Sequence, residues 1–290
     1  MAIEIIQAGG LTTVQDGGRW HAAHLGFPVS GCMDQAAAQL ANHMVGNEPG
    51  CAVLEMSWSG LEFTAQQACS MALAGAEFIC QLDGQEVSTD SVIQLRANSH
   101  FKMQRLLSGV RAYAAFAGGI DVPVLMGSKS TLLSASVGGF NGRPLRAGDV
   151  VELSQPHLVT NKGKPNWKKY HPPSFHVVRA MPGPEVHLFS QNTIKQAFSQ
   201  SYELTAAADR QGFRLKSKPL DVTNIQVTAS SGLVPGSLQV TPDGQAILAM
   251  RDAQTTGGYP RILVVHQQQL SLLAQVRPGE KIHFFVETRF

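Results

Sequence analysis

Three polar, glycine-rich segments of the sequence carry more functional groups than a turn requires. They are Leu11–Arg19 with His24–Asp34, Ala117–Thr131 with Gly138–Leu145, and Met250–Arg261. Glycine lets the backbone approach a ligand and present its N–H groups, and arginine offers a forked pair of donors that matches a carboxylate. The composition of these segments therefore indicates a site for a small acid or amide.

The third segment is the richest in such groups. A buried-looking stretch, Ala246–Met250, leads directly into Arg251 and Asp252. Further polar side chains and glycines follow: Gln254, Thr255, Gly257 and Gly258. Arg251 could bind a carboxylate, and Asp252 could hold that arginine or accept a proton. The alternative interpretation is a solvated loop that contains an Arg–Asp pair.

The first segment offers a second set of candidate side chains. The set is Gln15, Asp16, His24, Ser30 and Asp34. Asp34 has an alternative role, because it directly precedes Gln35–Val45, whose apolar residues follow helical spacing. An aspartate in that position commonly caps a helix.

Several patterns that could carry other chemistry lack the spacing that this chemistry needs. His21 and His24 form an H-x-x-H pair without a third ligand at a matching offset, so we expect no metal site. Gly127–Thr131 superficially matches a nucleotide-binding loop, but Ser128 separates its glycine from its lysine. The stretch Phe101–Met103 is a poor match to a biotin-attachment hairpin. We therefore expect neither a nucleotide bound by this chain nor biotin attached to it.

Composition limits the classes of protein to which the chain can belong. Its 290 residues exceed the usual size of one domain, so two domains are expected. The 23 basic and 21 acidic residues give a formal net charge of +2, and no basic run is long enough to track a phosphate backbone. We therefore expect no binding to nucleic acid. The charged fraction of 15% suits either a subunit that buries surface against partners or a glutamine- and serine-rich monomer.

Cysteine usage and the apolar stretches indicate the compartment. Cys32, Cys51, Cys69 and Cys80 show neither C-x-x-C nor zinc-ligand spacing, so we interpret them as reduced thiols of a cytosolic protein. The amino terminus lacks the basic start and apolar stretch of a signal peptide. No apolar run approaches the about 20 residues that a membrane helix needs. We therefore expect a cytoplasmic protein without membrane spans.

Short, β-branched apolar stretches bounded by turn residues run through the sequence, which predicts a mainly β protein built as barrels or sandwiches. Few helices are predicted, and they cover Gln35–Val45, Val186–Phe198 and Gln267–Ala274. Residues 156–174 hold so many prolines, glycines and polar residues that a linker is predicted there. The predicted domains are therefore 1–155 and 175–290.

The two predicted domains end in similar ways. RPLRAGDVVEL precedes the linker, and VRPGEKIHFFV lies close to the carboxyl terminus. In both, a Gly-acid turn, Gly148-Asp149 or Gly279-Glu280, leads into a stretch of alternating hydrophobicity. The pair of short matches indicates two related β-rich domains.

The same glycine-rich segments resemble those of a known family. In order along the chain, LTTVQDGGR, HLGFPVSGCMD, ALAGAEF, GSKST, GGFNGRPLRAGD, ADRQGFRL, LVPGSLQVTPDGQ and DAQTTGGYPRILVV match motifs of the biotin-dependent carboxyltransferase-like family, the KipA or allophanate hydrolase subunit 2 type. The matches run from about Leu11 to Phe284. The chain therefore resembles this family over nearly its whole length.

The resemblance implies a fold and an activity. Members consist of two tandem cyclophilin-like β-barrel domains with a few short helices, and their proposed active site lies in the cleft between the domains. Free-standing bacterial members are the C subunit of an ATP-dependent 5-oxoprolinase, which opens 5-oxoproline (pyroglutamate) to L-glutamate together with subunits A and B. The B subunit is of the KipI type, a kinase inhibitor. Because this chain lacks a nucleotide-binding loop, ATP would be used through the partner subunits, and the chain would have little activity alone.

Carried over position by position, the resemblance implies a set of site residues. The catalytic residues would be Asp34, Asp252 and Gln254. The substrate would be bound by Gln15, Asp16, His24, Ser30, Arg251, Thr255, Gly257 and Gly258. Within this set, Arg251 would hold the substrate carboxylate, and Asp252 or Asp34 would act as acid or base. Asp209 and Arg210 would form a structural ion pair.

Two other functions remain open. The chain could be a carboxyltransferase that moves a carboxyl group from a separate biotin carrier to urea or a related amide. It could also be a non-enzymatic regulator that binds a kinase-inhibitor-like B subunit. The free-standing length and the lack of a biotin motif favour the 5-oxoprolinase component over a piece of a fused urea carboxylase.

Overall fold

The computed structural model describes most of the chain, namely residues 2–58, 60–89, 91–160, 174–225 and 229–286. Most of the predicted linker, 156–174, lies outside these residues. The predicted domain boundaries therefore stay a prediction.

The chain forms two compact units. Unit 1 takes in the described parts of Met1–His21 and Ser30–His171, and unit 2 takes in those of Ala22–Val29 and Pro172–Phe290. The short early segment Ala22–Val29 thus belongs to the later unit. One of the predicted site residues, His24, lies in that segment.

Unit 1 is built around a nine-stranded sheet. Its strands are β1 (Ala2–Gln7), β2 (Leu11–Gln15), β3 (Val53–Ser57), β4 (Glu62–Ala65), β5 (Cys69–Leu82), β6 (Gln85–Val87), β7 (Ile93–Leu95), β8 (His100–Phe116) and β9 (Val150–Glu152). The main path runs β2-β3-β8-β4-β1-β9, and β5 pairs with β6, β7 and β8. Within the described residues no pairing joins β2 to β9, so this path stays open.

Alternating side chains of these strands fill the core of unit 1. Ile3 and Ile5 of β1 are buried, whereas Glu4 between them is exposed, as the two-residue period of a strand requires. The ring of Phe63 lies 5.2 Å from that of Phe101, centroid to centroid. Burying one such aromatic side chain stabilises the fold by about 1.5–3 kcal/mol. This core fixes the ends of β2 and β8, from which the polar loops start.

Unit 2 contains a closed barrel of seven strands in the order β10-β17-β14-β15-β12-β11-β18. The strands of the unit are β10 (Phe175–Pro182), β11 (Ser201–Leu204), β12 (Gly212–Lys216), β13 (Ser231–Gly232), β14 (Ser237–Val240), β15 (Ala246–Ala249), β16 (Thr256–Gly257), β17 (Arg261–Val265) and β18 (Lys281–Val286). β18 closes the barrel, because it pairs in parallel with β10 and antiparallel with β11. The mainly β architecture is therefore confirmed, with a closed barrel in the second unit and an open main path in the first.

Three α-helices accompany these sheets within the described residues: α1 (Gln35–Met44), α2 (Gln191–Ser199) and α3 (Leu270–Leu273). The helices predicted from Gln35 and from Gln267 are confirmed, the latter as a 3-10 turn that leads into α3. The single helix predicted over Val186–Phe198 is wrong. A short 3-10 helix covers Val186–Leu188 and ends before Ser190. Ser190 then caps α2, because its hydroxyl accepts a hydrogen bond from the Thr193 backbone nitrogen at 3.1 Å. A serine hydroxyl competes with helical backbone bonds and so begins a new helix.

The two Gly-acid turns that the sequence pairs have the same local geometry. Gly148 and Gly279 adopt φ values of 86° and 88°, in the left-handed region that favours glycine. Asp149 accepts a hydrogen bond from the Arg146 backbone nitrogen at 2.7 Å, and Glu280 accepts one from Arg277 at 2.9 Å. The acids differ in their second partner, which is a guanidinium (Arg143) for Asp149 and an imidazole (His176) for Glu280. The matched turns support the internal similarity of the two units.

Candidate functional site

The carboxylate of Asp16 organises the polar loops of unit 1. It follows directly after β2 and accepts four hydrogen bonds, from the Gly18 backbone nitrogen (2.8 Å), the Ser128 hydroxyl (2.7 Å), the Lys129 backbone nitrogen (2.6 Å) and the Ser130 hydroxyl. All four donors are neutral groups. Asp16 therefore holds the Gly127–Thr131 loop in one conformation.

The neighbours of Asp16 in the sequence bind the same loop. The buried Gln15 amide donates to the Thr131 carbonyl oxygen at 3.1 Å. Arg19, also buried, donates from Nε to the Leu125 carbonyl (3.1 Å) and from one terminal nitrogen to the Ser130 carbonyl (2.9 Å). Two predicted site residues, Gln15 and Asp16, are thus brought together, and both contribute to the architecture of this loop.

The Ser30–Asp34 loop packs directly against the Asp16 loop. A Cβ atom on Gly31 would stand 2.8 Å from the Gly18 backbone nitrogen, so only glycine fits there. Ser30 is fully buried with φ of 55°, and its hydroxyl has no hydrogen-bond partner among the described residues. Such a side chain is uncommon in folded proteins and is available to a ligand that reaches it.

Asp34 has the capping role that the sequence left open. Its Oδ1 atom accepts a hydrogen bond from the Ala37 backbone nitrogen at 3.0 Å, at the start of α1. Behind it lies a buried network in which the Tyr113 hydroxyl accepts from the Asp34 backbone nitrogen at 2.8 Å and donates to Glu55 at 2.9 Å. Burial, together with the charges of Glu55 and Asp34, raises the pKa of Tyr113 well above its usual range. Tyr113 therefore stays a neutral donor that fixes the start of α1.

A pocket of about 310 Å³ opens beside the Asp16 loop, and all of its lining belongs to unit 1. Its walls are the Glu48–Ala52 turn, the Gly118–Ile120 turn and the Gly127–Lys129 loop, with Asp16, Val124 and Ser154. The Lys129 ammonium group donates to the Ile120 carbonyl oxygen at 2.7 Å. Lys129 is half-buried, and it forms no ion pair with any described residue.

The second half of the predicted site lies in unit 2, where Asp252 and Arg210 form a buried ion pair. Arg210 Nε donates to Asp252 at 2.8 Å and a terminal nitrogen donates at 3.1 Å, and the two residues are only 5% and 6% exposed. The predicted pair of Asp209 with Arg210 is wrong. Asp209 instead accepts from the backbone nitrogens of Gln211 and Gly212, so it shapes its own turn and leaves the guanidinium to Asp252.

The predicted site segment Arg251–Gly258 contains both buried and exposed residues. Arg251 is 5% exposed, so the alternative of a solvated Arg–Asp loop does not hold for the start of this segment. Gln254 is exposed and Thr255 is half-buried, with its carbonyl oxygen accepting from the Leu233 backbone nitrogen at 2.8 Å. A Cβ atom on Gly257 would stand 2.6 Å from the Gln239 amide nitrogen, so the space above this glycine is already filled.

Two further predicted residues, His24 and Gly258, belong to unit 2. His24 is exposed on the 3-10 turn Ala23–Leu25 of unit 2. Gly258 lies between β16 and β17 and is half-buried. The structure thus groups Gln15, Asp16, Ser30 and Asp34 in unit 1, and His24 with the Arg251–Gly258 residues in unit 2.

Sequence reasoning missed several residues that these networks depend on. Ser128 and Ser130 hold Asp16, Lys129 faces the pocket, and Arg210 neutralises Asp252. The available signal was their position within the motifs GSKST and ADRQGFRL, which lie far in sequence from their partners. We also find no group of three or more His, Cys, Asp or Glu side chains suited to a metal ion in the part of the chain that the structure describes. None of its described helices is long and apolar enough to cross a membrane.

Comparison with known proteins places this geometry in context. The model of the family "Carboxyltransferase domain, subdomain A and B" matches residues 25–286. The C subunit of 5-oxoprolinase from Escherichia coli is 37% identical over 97% of this chain and 90% of its own length. The protein of the same name from Haemophilus influenzae is 33% identical over 97% of this chain and 90% of its own.

A solved structure supports the same assignment of fold. The urea carboxylase of Kluyveromyces lactis superposes with a TM-score of 0.88 at 27% identity, over 99% of this chain and 27% of that longer chain. Five solved chains align with 98–99% of this chain, but this chain spans only 19–56% of their length. The longer proteins therefore contain much that has no counterpart here.

Proposed function

This chain belongs to the carboxyltransferase domain family, subdomain A and B, and we propose that it is the C subunit of an ATP-dependent 5-oxoprolinase. The observation that supports this proposal best is the similarity to two proteins named as this C subunit. The alignments cover 97% of this chain and 90% of each relative. The reaction would convert 5-oxoproline to L-glutamate at the expense of ATP.

The stability of the lactam determines which chemical groups the complex must supply to open it. The lactam of 5-oxoproline is a resonance-stabilised amide with a poorly electrophilic carbonyl carbon. Transfer of the γ-phosphoryl group of ATP to the carbonyl oxygen would release ADP, water would add at the activated carbon, and the ring C–N bond would break as the nitrogen takes up a proton, which leaves an acyl phosphate. A second water would then release inorganic phosphate and complete the carboxylate of glutamate. Donors placed on the developing charge would stabilise the transition state. We propose that ATP is used through partner subunits A and B, the latter of the KipI type, and that the complex is cytoplasmic.

We propose roles for residues of this chain as follows. Arg251 would hold the substrate carboxylate, Asp252 or Asp34 would transfer a proton, and Thr255–Gly258 would supply backbone donors. Asp34 and Asp252 already accept hydrogen bonds, from the Ala37 backbone and from Arg210.

The test is a reconstitution of the complex. This chain and its A and B partners would be co-expressed, and glutamate formed from 5-oxoproline and ATP would be measured with each subunit omitted in turn. We expect glutamate only with all three present. An Asp252→Asn variant would lose most of this activity, whereas a matched control, Asp243→Asn on an exposed hairpin, would keep it.

Two outcomes would contradict the proposal. If subunits A and B form glutamate equally well without this chain, the chain is not required for the enzyme and a regulatory role takes its place. If the chain instead carboxylates urea when a biotin carrier is supplied that has already been carboxylated by a biotin carboxylase with ATP and bicarbonate, the carboxyltransferase alternative is correct.

A further inference from the structure

We propose that the pocket beside the Asp16 loop in unit 1 binds a small acid that also carries an N–H group, an amino acid or its lactam, with the ligand carboxylate on Lys129. This inference concerns unit 1 alone and assigns a residue outside the predicted site, so the carboxylate position on Lys129 is additional to the one proposed for Arg251 of unit 2. The choice of 5-oxoproline as a probe rests on the proposed function, but the features of the pocket do not.

The charge arrangement points to an anion. Lysine side chains are rarely buried without a partner, yet the ammonium group of the half-buried Lys129 has only the Ile120 carbonyl oxygen, at 2.7 Å, as a hydrogen-bond partner among the described residues. An ammonium group has three donors, so two remain for a ligand. The carboxylate of Asp16 also lines the pocket but forms no ion pair with this ammonium in the described part of the chain, because its oxygens are directed to Gly18, Ser128, Ser130 and the Lys129 backbone.

Two carboxylates, those of Asp16 and Glu48, line the pocket beside Lys129 and define the class of ligand more closely. Asp16 already accepts four hydrogen bonds, whereas the exposed Glu48 offers an acceptor to a ligand. A ligand with a carboxylate and an N–H donor, either an ammonium or a lactam nitrogen, would match Lys129 and Glu48 together. The volume of about 310 Å³ lies at the small end of ligand pockets, which run from about 300 to 1,000 Å³.

The glycines of the wall leave the room that a ligand needs. Gly50, Gly119 and Gly127 line the pocket, and no atom lies within 4 Å of the place where a Cβ would stand on any of them. Gly119 and Gly127 have positive φ values, which explains their identity. Gly50 has no such φ, so neither its backbone nor its packing requires glycine. A bulky side chain there would enter open space without disturbing the fold.

The chain contains its own reporter for this pocket. Cys51 lines it and is half-buried, whereas Cys32, Cys69 and Cys80 are buried. Burial raises the pKa of Cys69 to about 11 and that of Cys80 to about 12, which suppresses their reactive thiolate forms. Alkylation by iodoacetamide, followed by peptide mass spectrometry, therefore reports on Cys51 selectively.

The experiment measures how ligands slow the alkylation of Cys51 in the purified chain and in the complex with subunits A and B. The probes are 5-oxoproline, L-glutamate and 2-pyrrolidinone, which is the same lactam without the carboxylate. At about nine times its Kd a ligand leaves about one site in ten empty, so the rate falls about tenfold. We expect this protection from 5-oxoproline, glutamate or both, and none from 2-pyrrolidinone.

Two variants test the named residues independently. Lys129→Met removes the cation and Gly50→Leu adds a bulky side chain to the pocket wall, and we expect each to abolish protection when the rates with and without ligand are compared within one variant. The matched controls are Lys216→Met, an exposed lysine of β12, and Gly232→Leu, an exposed glycine of unit 2 that also lacks positive φ and close contacts. Both controls should retain full protection. If Lys129→Met does not fold, Gly50→Leu still decides.

Three results would overturn the proposal: no protection by either acid, equal protection by 2-pyrrolidinone, or protection that survives both pocket variants. The failure of this site is distinguishable from the failure of the proposed function. If the complex needs this chain to form glutamate but Cys51 is never protected, the function stands and the pocket assignment falls. If Cys51 is protected but glutamate formation does not need the chain, the reverse holds.

Discussion

Two aspartates that follow buried strands hold their loops in different ways. Asp16, after β2, accepts hydrogen bonds from backbone nitrogens and hydroxyl groups, all of them neutral. Asp252, beyond β15, is paired with the guanidinium of Arg210. In unit 2 the cation and the carboxylate therefore satisfy each other, whereas in unit 1 the nearby cation, Lys129, is left to face a pocket. An aspartate at the end of a strand does not by itself indicate catalysis; its donors decide what charge remains for a ligand.

The largest expected effect is the loss of the buried ion pair. Asp252→Ala removes the carboxylate that pairs with Arg210, which is only 5% exposed, and breaking such a buried pair costs about 3–5 kcal/mol. We expect this destabilisation in urea unfolding at pH 7, with hydrogen exchange used to localise it to unit 2.

The double variant Arg210→Met/Asp252→Leu is the control for this effect. Replacing both members of a buried pair by apolar residues is often close to neutral, so the double variant should be more stable than Asp252→Ala. A loss below about 1 kcal/mol for Asp252→Ala would mean that the pair is not the main support of its loop.

A smaller effect is expected at Asp16, because its donors are neutral and the residue is half-exposed. Asp16→Ala leaves the Lys129 backbone nitrogen and two serine hydroxyls without their acceptor, and Ser128 and Ser130 are buried. We expect a loss of about 2–3 kcal/mol and faster hydrogen exchange over residues 127–131. If Asp16→Ala lost as much unfolding free energy as Asp252→Ala, neutral donors would stabilise a loop aspartate as strongly as a guanidinium does.

Features of the fold and of the candidate site were predictable from the sequence where the interacting residues lie close together along the chain. Local signals sufficed for the β-rich class, for the Asp34 cap of α1 and for β18, because caps and alternating strands are read over a few residues. The partners of Asp16 and Asp252 lie far away in sequence, so nothing local links Asp16 to Ser128 or Asp252 to Arg210. The predicted pair joined Asp209 to its neighbour Arg210, whereas Asp209 closes its own turn through the backbone nitrogens of Gln211 and Gly212.

Acid sensitivity provides a third test, since a second carboxylate of unit 2 is also bound by a guanidinium. Arg261 donates to Glu185 from Nε at 2.7 Å, and this hydrogen bonding lowers the pKa of Glu185 below its ordinary value of 4.5. A carboxyl group with a lowered pKa stabilises the fold above the ordinary value, and that contribution is lost as the pH falls through the folded-state pKa.

Glu185→Gln should therefore destabilise the protein by about 1–2 kcal/mol at pH 7, and its difference from the wild type should shrink below pH 4.5. The free energies of unfolding of the wild type and of Glu185→Gln would be measured at pH 7 and at a pH below 4.5. Glu86→Gln, at an exposed position of β6, is the control and should show no such trend. A difference independent of pH would mean that charge does not determine the strength of the contact.

The smallest effect on stability is expected at Ser30, beside the Asp16 loop. Its buried hydroxyl has no partner among the described residues, so Ser30→Ala removes no hydrogen bond and should change stability by less than about 0.5 kcal/mol. Ser30→Gly should be neutral or slightly stabilising, because the φ of 55° favours glycine. Both variants would be measured by urea unfolding and in the reconstituted glutamate assay. If the hydroxyl binds substrate, both lose activity at unchanged stability, and a marked loss of stability would show instead that Ser30 supports the loop as Asp16 does.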